Sequence, residues 1–93
     1  MERANWRERY ALALKEQLTI KEIMKLIDCG QPKAAKLREH AIQFCVDNNI
    51  EFEYRKTPTL AIFEITNYNL DYYYQKMMYE AKHMQLDFGY RKN

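Results

Sequence analysis

Long polar and cationic side chains follow one another at short spacing between residues 31 and 40 of this chain. At the start of a helix such side chains can reach base edges, and the first N–H groups of the helix can meet a phosphate. The three cations of the stretch outnumber its one carboxylate. The pattern predicts a DNA-binding surface made of Gln31, Lys33, Lys36, Arg38 and His40. It is also consistent with an ordinary two-helix turn whose cations only solvate the outer face.

A second candidate contact is the basic loop Arg55, Lys56 and Thr57. At the tip of a β-hairpin these residues would touch the phosphate backbone beside the groove. The same three residues fit a solvated loop equally well. Glu51 and Glu53 precede the loop, and we expect these carboxylates to point away from DNA because phosphates would repel them.

Two helices and a tight turn must position the first set. Thr19 and Glu22 stand at capping-box spacing, with apolar residues at helical spacing behind them. Gly30 can end that helix in a left-handed conformation, and Pro32 is favoured in the first turn of the next. The sequence thus predicts a short helix, a turn and a second helix from Pro32 to about Asp47, which is a helix–turn–helix.

From residue 50 onward the apolar period changes from 3.6 to 2. Alternation over 50–55 and an apolar run over 60–65 predict two strands, joined by a loop of about five residues into a β-hairpin. A helix–turn–helix followed by a hairpin is the layout of a winged helix–turn–helix domain. The predicted class is therefore α+β, with a core over 18–66 inside one domain that spans 1–93.

A further helix is predicted on each side of that core, over 2–17 and over 70–86. The C-terminal helix has an apolar seam at alternating spacings of four and three, made of Leu70, Tyr74, Met77, Ala81, Met84 and Phe88. This seam could cover the core of its own domain or pair with a second copy of the chain through 70–88. A dimer would suit a DNA reader that binds two half-sites.

Composition narrows the class of protein. The chain has 93 residues, 15 Lys and Arg against 13 Asp and Glu, and a net charge of +2, so its basic character is weak. It has no apolar run near the roughly 18 residues that a membrane span needs. The N-terminal residues are polar rather than an apolar leader. We therefore expect a cytoplasmic protein with no membrane partner, whose two cysteines stay reduced.

Residue types that would support catalysis or metal binding are not at the required spacing. Cys29, His40, Cys45 and His83 form no pair typical of zinc ligands, and two glycines in the whole chain exclude a glycine-rich phosphate loop. Acidic residues are scattered at ion-pair spacing and form no paired acid site. We expect no metal, no cofactor, no small-molecule substrate and no enzymatic activity.

Three segments together resemble the small excisionases of phages and conjugative transposons, which belong to the MerR-like winged-helix superfamily. They are Trp6–Tyr10, Leu18–Ile23 and Lys33–Arg38. The resemblance implies a DNA-bending or repressor protein without enzymatic activity. Such a protein assists an integrase in DNA recombination or regulates transcription of the early genes of a phage, plasmid or integrated element.

Carried over to this chain, the resemblance places Lys33, Lys36 and Arg38 on the recognition helix, and Arg55 and Lys56 on the wing. The expected partners are double-stranded DNA and an integrase. A rival interpretation is a protein–protein adaptor that uses the same scaffold without binding DNA. The near-neutral charge and the tyrosine-rich C-terminal helix favour that rival.

Overall fold

A computed structural model of the chain describes residues 5–92, with side chains placed over 5–83. The described part is mostly helical with a two-stranded antiparallel sheet, which confirms the predicted α+β class. In chain order its elements are α1 (Trp6–Ala13), β1 (Gln17–Leu18), α2 (Ile20–Ile27), α3 (Gln31–Asp47), β2 (Thr57–Pro58), α4 (Thr59–Thr66) and α5 (Leu70–Lys92).

The helices α2 and α3 follow the predicted boundaries closely. Thr19 and Glu22 form the predicted capping box, with the Glu22 amide donating to Thr19 Oγ1 at 3.2 Å and the Thr19 amide donating to Glu22 Oε1 at 2.9 Å. The helix α2 ends at Ile27, its C-cap Asp28 has a left-handed φ of 60°, and Gly30 is the N-cap of α3. The left-handed residue is thus Asp28 rather than the predicted Gly30. Aspartate tolerates the left-handed conformation better than most residues with a side chain.

The predicted β-hairpin is wrong. Residues 60–65 lie in α4, and 50–55 form no strand in the described part of the chain. Instead β2 pairs with β1, with Leu18 opposite Thr57, so the sheet joins the start of α2 to the end of the loop that follows α3. A short apolar run does not distinguish a buried strand from a buried helix. In α4 the run is helical, and Ala61 and Ile62 are completely buried.

The flanking helices also differ from the predicted ranges. The helix α1 begins at Trp6, where the Asn5 side chain accepts a hydrogen bond from the Glu8 amide at 2.8 Å, and it ends at Ala13. It stops earlier than the predicted residue 17 because Gln17 belongs to β1. The predicted residues 2–4 lie outside the described residues. At the other end, α5 extends beyond the predicted residue 86.

Every helix contributes to the core: α3 packs against α2 and α4, and α1 packs against α2 and α5. Ile23, Leu26, Ala41, Ile62 and Tyr73 are among its completely buried side chains. Tyr73 is the one contribution of α5 among the described buried residues. No described helix has both the length and the apolar character that crossing a membrane requires.

The predicted seam of α5 is mainly on its exposed side. Leu70 and Tyr74 are each 40% exposed, and Ala81 is exposed. The Met84 and Phe88 side chains lie outside the described residues. The prediction missed Tyr73, which stands one position away from the seam and is buried against α1 and α4.

Candidate nucleic-acid interface

The predicted recognition residues of α3 divide into two rows. Residues at i, i+3 and i+7 share a helix face, so Lys33, Lys36 and His40 form one row, and all three are exposed. Gln31 and Arg38, seven residues apart, form a second row on the other flank, where Gln31 is exposed and Arg38 is half-buried. Both rows start in the first turns of α3, on sides that the buried Ala34 does not occupy.

The charges of these rows have no partners within the described chain. Neither Lys33, Lys36 nor Arg38 takes part in an ion pair among the described residues. Elsewhere, Lys15 is paired with Glu22. Burial raises the pKa of the Glu22 carboxyl, but its bonds to Lys15 and Thr19 outweigh that effect and leave the pKa below its ordinary value. The cations of α3 therefore remain available to an external anion.

A shallow groove of about 710 Å³ runs beside the second row. The start of α2, the middle of α3 and the loop before β2 form its walls. Lys21, Arg38 and Arg55 bring three cations to it, against the single carboxylate of Glu39. The remaining lining residues are Thr19, Ile20, Ala35 and Tyr54.

The loop before β2 turns sharply over 53–56, where the Lys56 amide donates to the Glu53 carbonyl at 3.0 Å. Arg55 has a left-handed φ of 61°, and its guanidinium carbon lies 5.2 Å from the centroid of the Tyr54 ring. Tyr54 itself is 85% exposed. The Lys56 ammonium lies 3.3 Å from Glu53 Oε2, so its charge is partly compensated.

Arg55 and Lys56 are exposed, as a DNA contact requires. The third predicted loop residue, Thr57, is completely buried in the β1–β2 ladder. Its hydroxyl has no hydrogen-bond partner in the structure. The prediction that Thr57 lies at an exposed tip is therefore wrong, because the tip is the preceding turn.

The groove has two lining residues that the sequence analysis does not predict, Lys21 and Tyr54. Lys21 lies on the polar side of α2, and a signal for it was present because the first helix of a helix–turn–helix crosses the DNA backbone. Tyr54 was assigned to the apolar side of a strand. Because that strand does not form, no sequence pattern indicated that the ring would be exposed.

The start of α3 adds a favourable electrostatic feature. Gly30 precedes the helix and has no side chain with which to cap it, so the Gln31 and Lys33 amides keep their hydrogen-bonding capacity, whereas Pro32 has no N–H. The partial positive charge of a helix N-terminus adds to that of nearby cations. Together, the exposed start of α3 and the groove can bind phosphate oxygens and bring long polar side chains to base edges.

Metal ligands do not gather anywhere in the part of the chain that the structure describes. No group of three His, Cys, Asp or Glu residues there is arranged to hold a metal ion. Cys29 and Cys45 are free thiols. Burial raises the pKa of both, and nearby Lys33 partly offsets the effect at Cys29.

Comparison with known proteins assigns no family to the chain. No protein-family model, no curated protein and no solved structure matches it. The function is therefore inferred from the residues, charges and shape of this surface.

Proposed function

We propose that this chain binds double-stranded DNA, with α3 as the recognition helix. The observation that carries this proposal is a set of cations at the start of α3 that have no ion-pair partner among the described residues, beside a groove that supplies two more. An α-helix with its side chains is about 10–12 Å across, which fits a major groove about 12 Å wide. The row of Lys33, Lys36 and His40 then faces the duplex, with Gln31 near the bases.

The groove beside α3 supplies the contacts with the DNA phosphates. With α3 in the major groove, Lys21, Arg38 and Arg55 come from three different segments to one concave surface. Such a surface suits the phosphates that border the major groove, and phosphate contacts fix the orientation of a protein on the duplex. Arg38 and His40 thus hold the backbone, while Gln31, Lys33 and Lys36 contact base edges or phosphates.

Within this proposal the domain is a reduced winged helix–turn–helix. The turn over 53–56 takes the part of the wing, and Arg55 and Lys56 contact the backbone from it. The proposal includes the excisionase-like role that the sequence resemblance implies, with an integrase as partner or with control of transcription in a mobile element. A genomic neighbour that encodes an integrase would favour the excision role.

A titration against random duplex DNA tests the proposal. The wild type is expected to bind and to lose affinity steeply between about 50 mM and about 200 mM salt. The variant Lys33→Ala/Lys36→Ala should bind at least about tenfold more weakly, and its salt dependence should fall by about two phosphate contacts. Fluorescence anisotropy of a labelled duplex measures both quantities.

A matched control removes two exposed lysines elsewhere. Lys25→Ala/Lys82→Ala changes the net charge equally but leaves α3 intact. We expect this control to bind nearly as the wild type does. Absence of binding at low salt, or an equal loss in both double variants, would contradict recognition by α3.

The adaptor function is the second candidate. It is favoured by the outer side of α5, where Tyr74, Met78 and Tyr79 are 40%, 46% and 66% exposed. Aromatic residues and methionine are enriched at protein interfaces. Two results together would favour the adaptor: the wild type binds no duplex DNA at any salt concentration, and it captures an integrase that the Met78→Glu variant does not capture.

A further inference from the structure

The carbonyl oxygen of Leu26 lies in the last turn of α2, just before the turn that leads into α3. The last four carbonyls of a helix have no partner within the helix. Leu26 is completely buried, so water does not supply one. Two distant side chains donate to this oxygen instead, Arg9 through Nε at 3.0 Å and Tyr73 through its hydroxyl at 3.0 Å.

Both donors are held by aromatic packing. The Arg9 guanidinium carbon lies 3.9 Å from the centroid of the Trp6 ring and 5.7 Å from that of Tyr73. Tyr73 packs in turn against the ring of Phe63, with centroids 5.9 Å apart. Burial raises the pKa of Tyr73 to about 12, while Arg9 acts in the opposite direction, so the hydroxyl remains a donor at neutral pH.

The turn that follows Leu26 is short. The Cys29 amide donates to the Met24 carbonyl at 3.0 Å, Asp28 is left-handed, and α3 begins at Gln31. Few backbone torsions therefore separate the end of α2 from the start of α3. A displacement of the Leu26 carbonyl is passed directly to the angle between the two helices.

We propose that Arg9 and Tyr73 are positioning residues for DNA binding, which fix the turn between α2 and α3 through the Leu26 carbonyl. This role rests on the proposed function of α3. In this proposal the contact between α1 and α5 does more than pack the core. It sets the angle at which Lys33 and Lys36 meet the duplex.

Removal of one hydroxyl tests this role. Tyr73→Phe keeps the ring and deletes only the donor, and Tyr74→Phe is the matched control because Tyr74 is its neighbour on the same helix and is 40% exposed. In the absence of DNA, Tyr73→Phe should shift the amide resonances of residues 28–33. It should also weaken duplex affinity about fivefold or more with an unchanged salt dependence. Tyr74→Phe should do neither.

Arg9 is tested by two variants. Arg9→Met keeps the aliphatic stem over Trp6 and removes the donor, whereas Arg9→Lys retains a donor and should restore part of the affinity. Arg7→Met, on the exposed side of α1, controls for the lost charge. Affinity measurements are made well below the melting temperature of each variant, so that unfolding does not contribute to the loss.

The outcomes separate the two proposals. If Tyr73→Phe and Arg9→Met lower the melting temperature but leave both the 28–33 amides and the affinity at wild-type values, the role is structural only and the inference is wrong. If the wild type binds no duplex, the proposed function fails. The amide shifts of the free protein still decide whether the two donors set the turn.

Discussion

The two long helices of the molecule, α3 and α5, differ in the surroundings of three lysines. On α5, the Lys76 ammonium lies 5.8 Å from the ring centroids of both Trp6 and Tyr72, so its charge is engaged within the fold. On α3, Lys33 and Lys36 are exposed and have no ion-pair partner among the described residues. The contrast leaves the charges of Lys33 and Lys36 at the surface, which is what the proposed function requires.

Packing shows the same division. The aromatic rings around α5 are close together: Tyr68 and Tyr72 stack with centroids 4.8 Å apart, and Trp6 meets Tyr72 edge-on at 5.9 Å. Aromatic pairs of this kind stabilise a fold beyond the area they bury. Because the cationic rows lie on a different helix from the aromatic cluster, mutations in those rows should change recognition with little effect on stability.

The largest expected effect is that of a truncation in the aromatic cluster. Tyr73→Ala should lower the free energy of unfolding by about 3–5 kcal/mol, because it removes a completely buried ring and leaves a cavity. Lys36→Ala should change the same quantity by no more than about 0.5 kcal/mol. Chemical denaturation measures both. Similar values for the two variants would contradict the proposed division.

Alkaline pH gives a second test of how much Tyr73 contributes to stability. The pKa of Tyr73 is raised from 10.0 to about 12, so the folded state favours the neutral phenol. Its contribution to stability is fully present below pH 10 and is lost as pH rises toward about 12. The stability difference between wild type and Tyr73→Phe should therefore shrink over that interval. A constant difference in paired denaturation curves would show that the hydroxyl is not protected.

A much smaller effect on stability than that of Tyr73→Ala is expected in the loop. Glu53→Gln removes the partner of Lys56, an exposed pair that contributes at most about 1 kcal/mol. The freed Lys56 should strengthen duplex binding and add up to about one phosphate contact to the salt dependence. Anisotropy titrations at several salt concentrations measure this gain. Unchanged affinity and salt dependence for Glu53→Gln would place the loop away from the phosphates.

The helix–turn–helix could be predicted from the sequence because its signals are local. The capping box of Thr19 and Glu22 and the proline near the start of α3 each act within a few residues. The region 50–66 could not be predicted in the same way. Its alternation satisfies the strand pattern, but the state it adopts depends on the distant β1, where Gln17 accepts a hydrogen bond from the Glu53 amide at 3.1 Å.

The candidate site could be predicted only where its signals are local. Helical spacing placed Lys33 and Lys36 on one exposed face, which the structure confirms. Spacing within one helix does not reveal which other segments lie beside it, so Lys21 was missed. On α5, seven-residue spacing favoured Tyr74, whereas packing against Trp6 selected its neighbour Tyr73.

The sheet, although only two residues long on each side, has a consequence for how the chain is divided. It pairs Leu18 with Thr57, two residues 39 positions apart, so the segment between them is a loop whose ends are held together. Its two ends meet at the sheet, and its helices α2 and α3 pack against α1 and α4. Extra residues inserted near the exposed positions 51–52 would lengthen the loop after α3, while the pairing of Leu18 with Thr57 would still hold the end of that loop in place.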